Sequence, residues 1–223
     1  MDVRLLGGAL AKYGAGLIVM AVLLFVPAGT LRWPQGWLLM GVLFIPMFIA
    51  GLVMVAKAPD LLRKRLNMRE NESEQRAVVA LSGLMFVVAF VLAGLNFRFG
   101  WCVLPWGASI AGVAVFLTSY VLYAEVLREN AYLSRTVEVQ EGQRVVDTGL
   151  YGIVRHPMYA VTTLLFLAMP VVLGSLPSLV VMCAYIPIIV KRIRNEESVL
   201  EQGLSGYREY EGRVRYRLVP LIW

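Results

Sequence analysis

Residues 77–95 read AVVALSGLMFVVAFVLAGL. This run carries no charged side chain and no period-2 alternation. A helix needs about 20 such residues to cross ~30 Å of hydrocarbon. Backbone polar groups in lipid must find partners inside their own segment, so an unalternating apolar run reads as a helix and not as a barrel strand. Outward from it, further apolar runs lie at residues 10–28, 37–56 and 103–124, and two shorter ones at 159–173 and 177–191. Gly174-Ser175-Leu176-Pro177 reads as a tight turn between the short pair, which makes them a helical hairpin. Arms this short lean on neighbouring helices or thin the bilayer.

Composition agrees. Apolar residues make up 59% of the 223 residues and charged residues 16%, against about 45–50% and about 25% in a soluble domain. Mean hydropathy is +0.69. One core cannot bury that much apolar surface, so the remainder faces lipid. A soluble enzyme, a disordered tail and a disulfide scaffold are thereby excluded. The two cysteines, Cys102 and Cys183, lie in or beside apolar runs and read as small buried hydrophobes. A single histidine, His156, leaves no two-histidine metal site, and no metal is expected. The expected fold is all-α: a polytopic membrane protein with six helical segments, a C-terminal hairpin and a cytoplasmic C-terminal cap. Residues 1–127 are expected to form the N-terminal transmembrane helices and residues 128–223 a second region, with the longest polar stretches, that would carry the functional site.

With a cytoplasmic amino terminus, the outer loops 29–36, 96–102 and 174–176 hold only Arg32 and Arg98 of the 21 Lys and Arg. The positive-inside rule favours this orientation, with both chain ends cytoplasmic. The net charge of +6 is then a topology signal and not a nucleic-acid surface. Val26-Pro27-Ala28-Gly29 is a poor cleavage site, so the first apolar run reads as a retained helix and not a signal peptide. Trp33, Trp37, Trp101 and Trp106 bracket the outer boundary as an aromatic belt. Residues 58–76 read as a helix in solvent or on the headgroups. The expected location is the bacterial inner membrane, or an endoplasmic-reticulum-like membrane in a eukaryote, with the site facing the cytoplasm.

The two longest polar stretches, 128–156 and 191–223, fall on that one face and can meet. The first ends in Val146-Asp147-Thr148-Gly149-Leu150-Tyr151-Gly152-Ile153-Val154-Arg155-His156-Pro157-Met158-Tyr159. Gly149 and Gly152 permit close approach and unusual dihedrals. Pro157 suits a first helical turn, which sets Arg155 and His156 at a helix start, an anion-binding position. The second contains Arg192-Ile193-Arg194-Asn195-Glu196-Glu197. Arg192 and Glu196 stand i,i+4 and share a face, whereas the adjacent Glu196 and Glu197 point roughly 100° apart and cannot do the same job. Anion recognition on one element and a carboxylate for an ammonium or ribose on the other suit S-adenosylmethionine. No glycine-rich strand-to-helix turn of a dinucleotide fold is present.

The run VxTGxYxxxRHPxY, an apolar hairpin, and then RIxxEExxL resemble the isoprenylcysteine carboxyl methyltransferase family, which groups with the phospholipid methyltransferases. The resemblance covers residues 130–223, and the tail Gly206-Tyr207-Arg208-Glu209-Tyr210 with Arg217-Leu218-Val219-Pro220 looks like its bacterial members. It implies S-adenosylmethionine held by Gln143, Arg144, Val145 and Val146 largely through backbone, by Tyr151, by His156, Pro157, Met158 and Tyr159, and by Glu196. It implies Arg192 as the group orienting the methyl acceptor and Glu197 as its catalytic companion in support of the pocket. Three departures from the family pattern are Val161 and Gln143, where Gly and His are usual, and Leu204-Ser205, where Phe-Gly is usual.

The implied acceptor is lipidic: a prenylcysteine-like carboxylate on a small molecule or peptide, or a phospholipid amine. A carboxylate needs no base at neutral pH, whereas an amine needs Glu196 or Glu197 to take its proton. Membrane lipids are the expected surroundings and nucleic acid is not an expected partner. Two other readings stand beside this one: an NADPH-dependent sterol-type reductase, and a non-catalytic membrane scaffold or transport subunit.

Overall fold

The computed structural model describes residues 3–59, 62–63, 73–133 and 139–223, with side chains from residue 5 and, in the third stretch, from residue 78. The described residues form helices α1 (Val3–Ala28), α2 (Pro34–Lys57), α3 (Ser73–Phe99) and α4 (Trp106–Glu129). A 3₁₀ turn at Gly149–Gly152 precedes α5 (Pro157–Val172), α6 (Leu176–Met182), α7 (Tyr185–Gly203) and α8 (Tyr207–Arg213). Among these residues strand pairing is limited to one isolated bridge, Val103 to Ser175. Proline sets several of the starts: Pro34, Pro157 and Pro177 occupy first-turn positions, where a missing N–H costs nothing.

The all-α membrane architecture read from the sequence is the one observed. Among the described residues, five helices are long and apolar enough to cross a membrane: Leu5–Ala28, Pro34–Lys57, Val78–Phe99, Trp106–Glu129 and Leu176–Gly203. Helix α5, with 16 residues, is the short arm of the expected hairpin. Its partner is longer than expected, because Leu176–Gly203 runs for 28 residues through α6 and α7. The break between the two has a cause in the sequence. Pro187 has no N–H to give the Cys183 carbonyl, and its ring would crowd that oxygen. The Ile186 N–H takes Cys183 O instead at 3.1 Å, in a tighter turn.

A core runs through the bundle, with Leu24, Leu39, Phe116, Val172, Met182 and Ile193 buried in it. Outside it, Ile18, Leu52, Leu84, Val121 and Val180 stand exposed, as lipid-facing positions do. Helix α1 packs closely on α3: a Cβ on Gly94 would lie 2.6 Å from the Leu24 carbonyl oxygen. Small residues let backbones approach in this way within membranes.

Three loops gather at the end away from the polar stretches. The Asn96 side chain accepts from the Cys102 N–H at 2.9 Å, Leu104 N–H donates to Gly174 O at 2.9 Å, and Trp33 stacks on Phe97 with ring centroids 5.0 Å apart. Two expectations are corrected here. Trp33 is buried in the core and is no belt residue, whereas Trp37, Trp101 and Trp106 are exposed. It precedes Pro34, and the turn into α2 points its ring inward against Phe25 and Phe97. Cys102 and Cys183 are both exposed and not buried, the first on a turn held by its backbone, the second at the helix break. The helix expected over 58–76 falls mainly on residues 60, 61 and 64–72, which lie outside the described residues.

Candidate active site

The opposite end holds a cleft of about 820 Å³, its open mouth included. Four stretches build it: the end of α4 with Asn130, Tyr132 and Leu133; the loop Gln143–Val146; Tyr151 with the start of α5; and the polar end of α7 with α8. The 3₁₀ turn that carries Tyr151 begins at Gly149, whose φ of +55° suits glycine. A Cβ there would also lie 3.1 Å from the Glu129 side chain. The Asn130 amide donates to the Tyr151 hydroxyl at 3.0 Å, and Tyr210 donates to the Tyr151 carbonyl at 2.8 Å. Three separate elements thereby fix one aromatic wall.

The EE pair splits as helix geometry requires. Glu196 lines the cleft and accepts a short hydrogen bond from the Tyr159 hydroxyl. That hydroxyl accepts in turn from Arg192 Nε at 2.9 Å, so the i,i+4 pair meets on one phenol. Glu197 turns the other way, into the protein. Its Oε1 takes Arg155 at 2.9 Å and His156 Nε2 at 3.2 Å, and its Oε2 takes Arg217 Nε at 2.7 Å. Arg155 also pairs with Glu211 at 2.6 Å. An ionised carboxylate only accepts, which assigns the proton facing it to Nε2 of His156.

This arrangement corrects the anion-site expectation. Arg155, His156 and the start of α5 do converge on a carboxylate, but it is the protein's own Glu197. The N–H groups of Arg155 and His156 are spent on the carbonyls of Tyr216 and Arg217, at 2.8 and 2.9 Å. A buried arginine needs a partner, and Glu197 of α7 and Glu211 of α8 supply it. His156 and Glu196, expected to share one site, both line the cleft.

Of the residues singled out in the sequence, Gln143, Arg144, Val145, Val146, Tyr151, His156, Met158, Tyr159 and Glu196 all line the cleft. Pro157 stands behind it, opening α5. Arg192 reaches its edge through Tyr159, and Glu197 sits beneath it with both oxygens engaged. Sequence reading missed Asn130, Tyr132, Leu133, Leu200, Leu204, Tyr207 and Tyr210. One signal was available: Leu200 is i+4 from Glu196 and therefore shares its face. Among the departures, Val161 packs with Val126, Leu133 and Tyr151. Leu204 packs with Tyr207, Tyr210 and Val214. Gln143 accepts from the Gln140 N–H at 2.8 Å.

Two buried polar atoms of cleft residues have no hydrogen-bond partner among the described residues: the Tyr207 hydroxyl and Arg155 Nε. Burial drives the Tyr207 hydroxyl well above the ordinary tyrosine range, and the Glu197 charge adds to this, so it remains a neutral O–H donor. A buried donor left unpaired costs about 1–3 kcal/mol, which a ligand acceptor relieves. Burial also holds the Glu211 carboxyl above its ordinary value, against the pull of Arg155.

Comparison with known proteins gives three findings. One is a solved structure of a eukaryotic intramembrane Ras methyltransferase, isoprenylcysteine carboxyl methyltransferase, which aligns over 100% of this chain and 87% of its own at 17% identity, with a TM-score of 0.49. A second is the Delta(14)-sterol reductase of Mus musculus, 28% identical over 91 residues, which are 40% of this chain. Those residues span 22% of the reductase's own length. The third concerns the segment holding α4, the cleft loop, α5, α6 and α7: residues 107–205 match the phospholipid methyltransferase family model.

Proposed function

We propose that this protein is an integral membrane methyltransferase that binds S-adenosylmethionine in the cleft and acts on a lipidic acceptor. The observation that carries this reading is a cleft lined on one side by the Glu196 carboxylate and on others by His156, by the unpaired hydroxyl of Tyr207 and by an aromatic wall.

That donor set fits the cofactor. Glu196 would hold its ammonium or ribose, the Tyr207 hydroxyl would donate to one of its acceptors, and Tyr151, Tyr210, Leu200 and Leu204 would cover its base. When bound, the group supplies a methyl already activated by a sulfonium. The protein's task is then to place, orient and exclude water. Tyr159 locks Glu196 and Arg192 into one rigid unit at the cleft's edge. From there a planar guanidinium fork suits a carboxylate acceptor, which carries no proton to lose. For an amine acceptor, Glu196 is the carboxylate that lines the cleft, since both oxygens of Glu197 are committed to Arg155, His156 and Arg217. Glu197 acts as a positioning residue in this scheme. The acceptor enters from the bilayer between helices and the cofactor from water. The basic side of the chain, including Lys57 and Lys191, supports a cytoplasmic cleft.

The partial likeness to a sterol reductase supports a second reading, an NADPH-dependent reductase. Glu196 weighs against it, because a carboxylate repels dinucleotide phosphates. The test is to incubate membranes carrying the protein with methyl-labelled S-adenosylmethionine and extract the lipids and lipopeptides. Label in one organic-soluble acceptor is expected. No transfer, together with NADPH-dependent reduction of a sterol, overturns the reading.

A further inference from the structure

The stretch Tyr216–Trp223 folds back on the bundle. Its first two carbonyls hold the N–H groups of Arg155 and His156. Beyond them the chain closes a small loop: Leu218 and Val219 N–H donate to the Trp223 oxygen at 2.9 and 3.0 Å, and Ile222 and Trp223 N–H donate to Val219 O at 3.2 and 3.1 Å. Leu218 and Trp223 pack against the transmembrane core, and the Arg217 guanidinium lies over the Trp223 ring, 5.4 Å from its centroid.

The loop turns on Leu221, the non-glycine residue with positive φ, at 69°, among the described residues. That is a strained conformation for a leucine, and strain of this kind is kept where it presents something. Here it presents apolar side chains outward. Leu221 is 85% exposed and Ile222 80%, more than any other large hydrophobic residue described. Val219 beside them is also exposed. In water this tip would be an unfavourable apolar patch. Its two inward residues, however, pack against the apolar core that the spans share, so the tip stands at the edge of the bundle, beside helices long and apolar enough to cross a membrane.

We propose that Val219–Ile222 is a membrane-inserting tip, seated among acyl chains just below the headgroups. It anchors the tail that brings Tyr207 and Tyr210 to the cleft. The occupant of this surface is the bilayer, and the inference does not depend on which reaction the cleft performs.

The test places a nitroxide at position 222 by Ile222→Cys, in a background carrying Cys102→Ser and Cys183→Ala, with the protein in bilayer nanodiscs. The control is Glu209→Cys, on the exposed face of α8. At 222, oxygen relaxes the label more than a water-soluble nickel chelate does; at 209 the order reverses. A label at 222 that behaves like the one at 209 overturns insertion. The anchoring role is read by amide exchange in the Leu221→Gln/Ile222→Gln variant. Exchange over residues 204–217 accelerates by about a hundredfold, as two such side chains at about 1.5 kcal/mol each imply, while α1–α4 keep their protection. Unchanged exchange over 204–217 overturns anchoring.

Discussion

Replacing Glu197 with glutamine removes the charge on which Arg155, Arg217 and the Nε2–H of His156 converge. The Glu197 and Arg155 side chains are only 4% and 6% exposed, so they form a buried pair. Breaking such a pair from one side costs about 3–5 kcal/mol, because the surviving charge is left uncompensated. Two features pull the figure to the lower end. Arg155 keeps Glu211 at 2.6 Å, and the glutamine carbonyl still accepts from one donor. The Arg217 arm is 34% exposed and adds little, since water replaces it. A cost of about 3 kcal/mol corresponds to roughly two decades in an opening equilibrium. Glu197 ties the tail to the start of α5 through Arg217 and Arg155, so the opening is local. Amide exchange over residues 207–217 rises about a hundredfold, while α1 to α4 are unchanged. Binding of S-adenosylhomocysteine weakens as a consequence, because Tyr207 and Tyr210 leave the cleft. Tail protection equal to that of the unmodified protein, with ligand binding lost, would instead make Glu197 a direct ligand contact.

Glu196→Gln abolishes cofactor binding with the tail still protected, while Glu209→Gln, on the exposed side of α8, does not; equal losses by calorimetry discredit the cleft assignment. Arg192→Lys cuts turnover more than cofactor affinity, since lysine offers no planar fork to Tyr159 and an acceptor carboxylate; a defect in affinity alone contradicts the acceptor role. Gly94→Ala sets a Cβ against the Leu24 backbone at 2.6 Å and costs about 1–3 kcal/mol, read as a lower thermal midpoint in detergent. An unshifted midpoint shows that α1 and α3 yield there at no cost.

The spans were legible because the hydrocarbon thickness sets a length that runs such as 77–95 satisfy directly. The split of Glu196 from Glu197 was legible because adjacent helical residues diverge by a fixed angle. The partner of Glu197 was not. Arg155 and His156 looked like donors awaiting a ligand anion, and nothing local in the sequence says that the protein fills that place itself. The tail was legible as a motif but not as a wall of the cleft, since Tyr207 and Tyr210 are brought there by the hold of Tyr210 on Tyr151, some sixty positions earlier in the chain. Trp33 misled because belt residues are recognised by composition at a boundary, whereas burial is decided by which way one turn before Pro34 points the ring.

In the proposed function, two distant stretches of chain, one ending at His156 and one centred on Glu196, close over a single S-adenosylmethionine. Calorimetric titration of the protein in nanodiscs with S-adenosylhomocysteine, followed by NADPH, tests it most directly. Saturable binding of the first, lost in Glu196→Gln and undisturbed by the second, is the predicted result. Heat from NADPH alone, retained in Glu196→Gln, contradicts it.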